Sequence, residues 1–272
     1  MCSWLEVAPD RQLQFRKCGG GVQAAGAGRL ALARRLPLSD PVSAIPGRRS
    51  MTDFAAARRM MVDGQVRTGG VTDLRIIAAM LALPRERFMG DADPALAYLD
   101  LNVEVTRPSA GAPARRLLKP MVLARMVQAA EVGERDRVLD VGIATGYSAA
   151  LLARLAGSVV ALEEDAALSA RARENLASVA GNVSIVTGPL PQGYPARAPY
   201  DVIFLDGGSE IEPRSLFGQL ADGGRLVAVV GVVPVGRAIV YRSTGGKVSG
   251  WPAFDAAAGL LPGFAAPAEF VF

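Results

Sequence analysis

Apolar positions along this chain change period near residue 131. From about residue 55 to residue 130 they recur at helical spacing, and beyond it short aliphatic runs alternate with helical stretches. In the first part, Thr52 is placed to cap a helix of good formers, Ala55 to Val62, broken by Gly64, Gly69 and Gly70. Thr72 is placed to cap a second helix, with Leu74, Ile77, Ala78 and Leu81 on its buried side and Pro84 ending it. A loop with Asp91, Asp93 and Pro94, a short strand at Asn102 to Val105 and a mobile loop at Pro108 to Pro113 follow. Pro120 suits the first turn of a third helix, carried by Met121, Leu123, Ala124 and Val127 to about Ala130. In the second part, strands are expected at Arg137–Val141, Ser158–Leu162, Val183–Val186, Tyr200–Leu205 and Gly224–Gly231. Helices are expected up to Leu155, over Ala166–Ala180 and over Pro213–Leu220. Gly236–Arg242 and Gly246–Trp251 read as a hairpin, and a final strand is expected near Phe270. This alternation predicts an α/β fold: a doubly wound, mainly parallel sheet with helices on both faces and a late antiparallel edge hairpin.

Charge changes the picture only at the N-terminus. The chain of 272 residues carries a net charge of +4. Residues 1–50 hold eight basic residues against Glu6, Asp10 and Asp40, which leaves 22 basic and 23 acidic residues in 51–272. The basic character therefore belongs to a Gly-, Ala-, Arg- and Pro-rich segment with little periodicity, and neither nucleic acid nor a membrane surface is expected as a partner of the rest. Residues 1–50 read as a disordered basic extension, or as upstream translation ahead of a true start at Met51. Deleting them is expected to leave stability and ligand affinity unchanged.

Both cysteines, Cys2 and Cys18, lie in that segment, and the chain has no histidine. That excludes Ser-His-Asp and Cys-His triads, histidine metal sites and histidine acid–base chemistry. No apolar run reaches the length of a membrane span, so a cytoplasmic protein is the default expectation.

The stretch RVLDVGIATGYSAALLAR, Arg137 to Arg154, is a strand, a glycine-punctuated turn and a helix. In such sheets a ligand binds beyond the carboxyl ends of the strands, near the point where strand order reverses. Three features fall at such ends: the turn from Asp140 to Gly146, Glu163 placed 23 residues after Asp140, and Asp206 at the end of YDVIFLD. Glu163 suits the two hydroxyls of a ribose. A dinucleotide turn would read G-x-G-x-x-G, whereas here the order is Asp140, Gly142, Ala144, Gly146. The leading carboxylate would repel a pyrophosphate and suits an ammonium, such as the amino-acid end of S-adenosyl-L-methionine.

The blocks AMLALPRERFMG, AYLDLNVEV, RVLDVGIATGYSAALLARL, VVALEED, APYDVIFLDGG and QLADGGRLVAVVG, in this order, resemble the protein-L-isoaspartate O-methyltransferase family. The resemblance covers roughly Ala55 to Phe272 and implies a Rossmann-like methyltransferase. Its core would be 131–272, with 51–130 a helical region capping the site. It also implies S-adenosyl-L-methionine as cofactor and methyl transfer to the carboxylate of isoaspartate in a peptide or protein, or to a small carboxylate acceptor. Asp140, Gly142, Ala144, Gly146, Glu163, Gly188 and Asp206 are the expected cofactor-binding residues; no catalytic residue and no metal is assigned.

Several positions depart from the family pattern. Leu118 stands in Arg116-Leu-Leu-Lys-Pro120 where the family has a serine at the reaction centre. Ala144 replaces a glycine, a mild change if its φ is negative. Gly188-Pro189-Leu190 replaces Gly-Asp-Gly, and Asp206 replaces a small or apolar residue. Arg115, Arg116, Lys119 and Ser109 are candidates to replace the lost hydroxyl, although the basic ones read first as a solvated loop. The alternatives are a methyltransferase-fold binding or regulatory protein, and a methyltransferase for another small acceptor.

Overall fold

Val138, Leu139 and Val141 lie on an interior strand of the sheet, and all three are fully buried because the sheet is covered on both faces. The computed structural model describes residues 53–107, 114–231 and 236–267. The described residues belong to one compact unit. The expectations for residues 1–50, the loop at 108–113 with Ser109, and the strand near Phe270 lie outside the described residues.

Two short strands, β1 (Val103–Glu104) and β2 (Arg116–Leu117), pair antiparallel beside the main sheet. The main sheet contains β3 (Arg137–Val141), β4 (Ser158–Glu163), β5 (Val183–Thr187), β6 (Tyr200–Ser209), β7 (Leu220–Val230), β8 (Arg237–Thr244) and β9 (Lys247–Asp255). Their order is β5-β4-β3-β6-β7-β8-β9. From β5 to β7 the pairings are parallel, and β8 and β9 add antiparallel, so the expected edge hairpin is present. Strand order reverses between β3 and β6, whose pairing sets Asp140 opposite Phe204 and Val141 opposite Leu205.

Side-chain alternation along these strands builds two apolar layers. Val138, Val202, Phe204, Val227 and Val229 face one, with residues of α1 (Phe54–Met61), α2 (Leu74–Ala82), α3 (Pro120–Ala129), α4 (Tyr147–Ala153) and α5 (Ala166–Leu176). Leu139, Val141, Ile203, Leu205 and Leu226 face the other, with Leu190 and Leu216 from 3-10 turns and Leu261 and Phe264 from the C-terminal segment. Helical segments thus cover both faces, the α-helices and two 3-10 turns on one and 3-10 turns on the other. Among the described residues no helix is long and apolar enough to cross a membrane.

Local differences from the sequence reading have local causes. Gly64 does not break the first helix; the chain continues through a π-helical turn, Val62–Arg67, and turns away at Gly70, where φ is +86°. Gly69 is needed for close approach, since a Cβ there would sit 2.6 Å from Met121 Cγ on α3. The cap of α2 is Asp73, whose carboxylate accepts from Arg75 N at 2.8 Å, rather than Thr72. Its buried face is Ile76, Ile77, Ala79 and Met80, while Leu74 in the first turn is 72% exposed and Ala78 points outward. On α3 the buried residues include Val122 and Met126, with Met121 only half-buried against Gly69. α5 ends at Leu176, four residues earlier than expected, because Val179 and Ala180 both donate to its carbonyl and close the turn before β5. β6 runs past Leu205 to Ser209, with a register shift between Phe204 and Gly208 against β7.

Candidate active site

The turn after β3 folds as the spacing of its glycines requires. Gly142 has φ +83° and Gly146 has φ +96°, conformations that favour glycine. Gly142 N donates to Leu162 O at 2.8 Å, fastening the turn to β4, and Thr145 Oγ1 donates to Phe88 O at 2.5 Å, fastening it to the segment before β1. Ala144 does not have the negative φ that would make it a mild replacement. Its φ is +48°, so a Cβ is carried in the left-handed region, where it crowds the following carbonyl.

Asp140 and Asp206 sit at the carboxyl ends of the two strands that flank the reversal. Asp206 lies two residues beyond Phe204, the register partner of Asp140, so both carboxylates are on the face that carries α4. Both are buried. Asp140 Oδ2 accepts from Ser148 Oγ at 2.7 Å, and the Oδ1 atoms of both aspartates have no hydrogen-bond partner. Burial first, and then the charge of Asp206, holds the Asp140 carboxyl well above the ordinary range. Burial likewise pushes Asp206 up to about 6. Beside them Arg85, fully buried, donates to Ala97 O and Leu118 O, both at 2.8 Å, and stacks 4.6 Å over the Tyr147 ring. Arg85 Nη1 and Tyr147 Oη are also unpartnered. Four of the five such buried atoms among the described residues therefore gather in one cluster, where unpaired buried polar groups are costly.

Glu163 ends β4 and is fully buried. Its Oε1 accepts from Glu164 N at 3.0 Å and Asp165 N at 3.2 Å, and its Oε2 accepts from Ala144 N at 2.8 Å. Gly188 N donates to Glu163 O at 3.1 Å, so all seven residues expected at the seat lie around the ends of β3, β4, β5 and β6.

The solvated-loop reading fails for Arg115. Its guanidinium meets Glu163 in a forked ion pair, Nη1 to Oε1 at 2.5 Å and Nη2 to Oε2 at 3.1 Å, and Nη2 also donates to Gly142 O at 3.0 Å. The side chain is only 8% exposed. Arg116 and Lys119 do fit that reading, pairing with Glu104 and, at 3.8 Å, with Asp100 near the surface. Leu261 was not singled out from sequence. It is placed by Gly208, which donates to Gly259 O at 2.7 Å and accepts from Leu261 N at 2.9 Å. A Cβ on Gly142 would meet Leu261 Cδ2 at 2.7 Å, and one on Gly207 would meet Leu261 Cγ at 2.5 Å. Arg85 and Tyr147 were missed as well, because an arginine in a 3-10 turn and a tyrosine on a helix carry no local signal of burial together.

The family described as Protein-L-isoaspartate(D-aspartate) O-methyltransferase (PCMT) matches residues 56–248. The chain belongs to this family. A PCMT relative from Koribacter versatilis is 37% identical over 73% of this chain and 87% of its own length. One from Methanoculleus marisnigri is 42% identical over 64% of this chain and 77% of its own. Among solved structures, a protein-L-isoaspartate O-methyltransferase superposes with a TM-score of 0.66 at 26% identity, over 76% of this chain and 66% of that one. A Plasmodium falciparum structure solved with S-adenosyl-L-homocysteine superposes with a TM-score of 0.62 at 18% identity, over 75% of this chain and 97% of that one, a likeness of fold. The PCMT match spans both the helical segments before β3 and the sheet through β7 and β8, and so contains Arg85, Arg115, Asp140, Glu163 and Asp206.

Proposed function

We propose that this PCMT-family chain transfers a methyl group from S-adenosyl-L-methionine to the side-chain carboxylate of an isoaspartyl residue in a peptide or protein. The observation that carries this reading is the pair of buried aspartates at the strand-order reversal, each with an oxygen free of any hydrogen bond. A cationic guest satisfies both, and the donor set therefore fits the proposed cofactor. Asp140 and Asp206 would hold the ammonium side. Gly142, Ala144 and Gly146 would let the backbone approach, and Glu163, with Gly188 behind it, would accept from the ribose hydroxyls.

When bound, the cofactor supplies an activated methyl group, so the chain needs no histidine base, thiol or metal of its own. Its residues contribute position and dryness. Asp140 is fixed by Ser148, Glu163 by three backbone N–H groups, and Leu118 by Arg85 through its carbonyl. Holding two reactants in line is worth roughly 7–11 kcal/mol of barrier. Excluding water from a reaction that annihilates charge adds to this.

Calorimetric titration with S-adenosyl-L-methionine, followed by methyl transfer to an isoaspartyl peptide and to its ordinary aspartyl twin, tests the reading. Binding and transfer to the isoaspartyl peptide alone are expected. Absence of binding at millimolar cofactor refutes it in favour of a methyltransferase-fold binding protein, and binding with transfer only to another carboxylate moves the acceptor.

A further inference from the structure

The residue that most alters the seat is Arg115, which is not among the seven residues expected to bind the cofactor. Its guanidinium occupies the acceptor atoms of Glu163, the carboxylate assigned above to the ribose, and the carbonyl of Gly142 in the glycine turn. A buried arginine and a buried glutamate paired in a fork satisfy one another, and neither can be left alone without a substitute. Glu163 has substitutes: the three backbone N–H groups already on it, and hydroxyl donors of a ribose. Arg115, once it leaves, needs another anion. It lies three positions before Leu118, whose side chain is buried and has no hydrogen-bonding group to offer an acceptor. The acceptor is a carboxylate, a group that can replace the forked pairing Arg115 loses.

We propose that Arg115 is a two-position residue: it closes the seat by pairing with Glu163, and on cofactor binding it transfers to the carboxylate of the methyl acceptor and positions it. This rests on the reading of the seat given above and adds an order to it. Cofactor binding exposes the cation that the acceptor needs, so the acceptor binds tightly only to the loaded protein.

The experiment compares wild type with Arg115→Ala and Arg115→Lys. S-adenosyl-L-homocysteine is titrated in by calorimetry, and steady-state kinetics are measured with an isoaspartyl peptide at saturating S-adenosyl-L-methionine. Removing the closing residue frees the seat, and a latch closed nine-tenths of the time corresponds to about tenfold in apparent Kd. Arg115→Ala is therefore expected to bind S-adenosyl-L-homocysteine about tenfold more tightly. The same variant is expected to raise KM for the peptide at least tenfold with a smaller change in kcat, and Arg115→Lys to recover part of that loss, since a lysine keeps the charge without the fork. A purely structural role would weaken cofactor binding and leave the peptide KM in place. Equal or weaker Kd in Arg115→Ala overturns the latch, and an unchanged peptide KM overturns the transfer. If neither wild type nor variant binds S-adenosyl-L-homocysteine, the cofactor reading itself fails and the latch with it. Should Arg115→Ala not fold, Arg115→Gln, which removes the charge while keeping most of the length, carries the same comparison.

Discussion

Asp206→Asn is the perturbation whose consequence is best defined by the structure. Asp206 is buried at the end of β6 beside Asp140, one oxygen of each is unpartnered, and burial raises the Asp206 pKa to about 6. Its ordinary value is 3.8. A carboxyl whose folded pKa is raised binds more protons in the native state than in the unfolded one. Its contribution is therefore fully favourable below the unfolded pKa and is lost as pH climbs through the folded pKa. At about 1.4 kcal/mol per unit, a rise of roughly two units corresponds to ~3 kcal/mol lost between pH 4 and pH 7, and the loss is constant above that. Asparagine is nearly the same size, carries no charge, and brings an N–H that can donate to the unpartnered Oδ1 of Asp140. The variant is expected to be more stable than wild type by ~2–3 kcal/mol at pH 8, or about 5–10 °C in Tm for a domain of this size, and equal to it at pH 4. Thermal and urea unfolding of both proteins across pH 4 to 8, without ligand, measures this. Parallel stability curves over that range would show that Asp206 is not ionised at a cost in the folded protein, and the account of the buried pair would fall. The same variant is expected to bind S-adenosyl-L-methionine more weakly, because half of the proposed anionic pair is gone.

Two further substitutions follow from single residues. Ala144→Gly removes a Cβ held at φ +48° and is expected to stabilise the protein by ~1 kcal/mol in urea unfolding; a loss of stability would mean that this position is not strained. Leu118→Ser restores the hydroxyl found in the family at a position whose side chain is 2% exposed and part of the main apolar layer, so it is expected to cost ~2–4 kcal/mol while raising transfer to an isoaspartyl peptide. Stability at the cost expected but no gain in transfer would assign the positioning of the acceptor to other residues.

How far these elements could be read from sequence depended on whether their cause is local. The strands β3, β4, β6 and β7 were legible because each holds an aliphatic run buried on both faces, and such runs have few other uses; β5, half-buried at the sheet edge, was legible from its β-branched residues. The glycine turn was legible because φ of +83° and +96° are conformations that side chains avoid. The second helix was misread in phase: its apolar residues fit two faces, and the choice between them is made by α3 and α4 packing against Ile76, Ile77 and Met80, not by α2 itself. Gly64 was read as a breaker from its intrinsic cost in a helix, and tertiary packing of Met61, Val62 and Val66 outweighs that cost.

The site divides along the same line. Asp140, Glu163 and Asp206 were legible because strand ends at a reversal are where open α/β sheets bind ligands, and that rule needs only the order of elements. Arg115 was not, because nothing near it in sequence says that it is buried. Its partner is 48 residues away, and a basic residue on a Pro- and Gly-rich stretch reads as solvated until the anion that desolvates it is known. The same pairing changes what the departures from the family pattern mean. Taken singly, Leu118 removes a hydroxyl and Asp206 adds a negative charge, and both argue against a site for a carboxylate acceptor. With Arg115 placed at the glycine turn and Arg85 facing Asp206, two buried cations stand against Asp140, Glu163 and Asp206. Burial pushes the pKa of one of those carboxylates well above the ordinary range and another up to about 6, so the negative charge of the seat is held down. A cationic guest that displaces Arg115 there leaves that guanidinium's positive charge free for an anionic acceptor. The substitutions are therefore consistent with one another as a set, although each alone reads as damage.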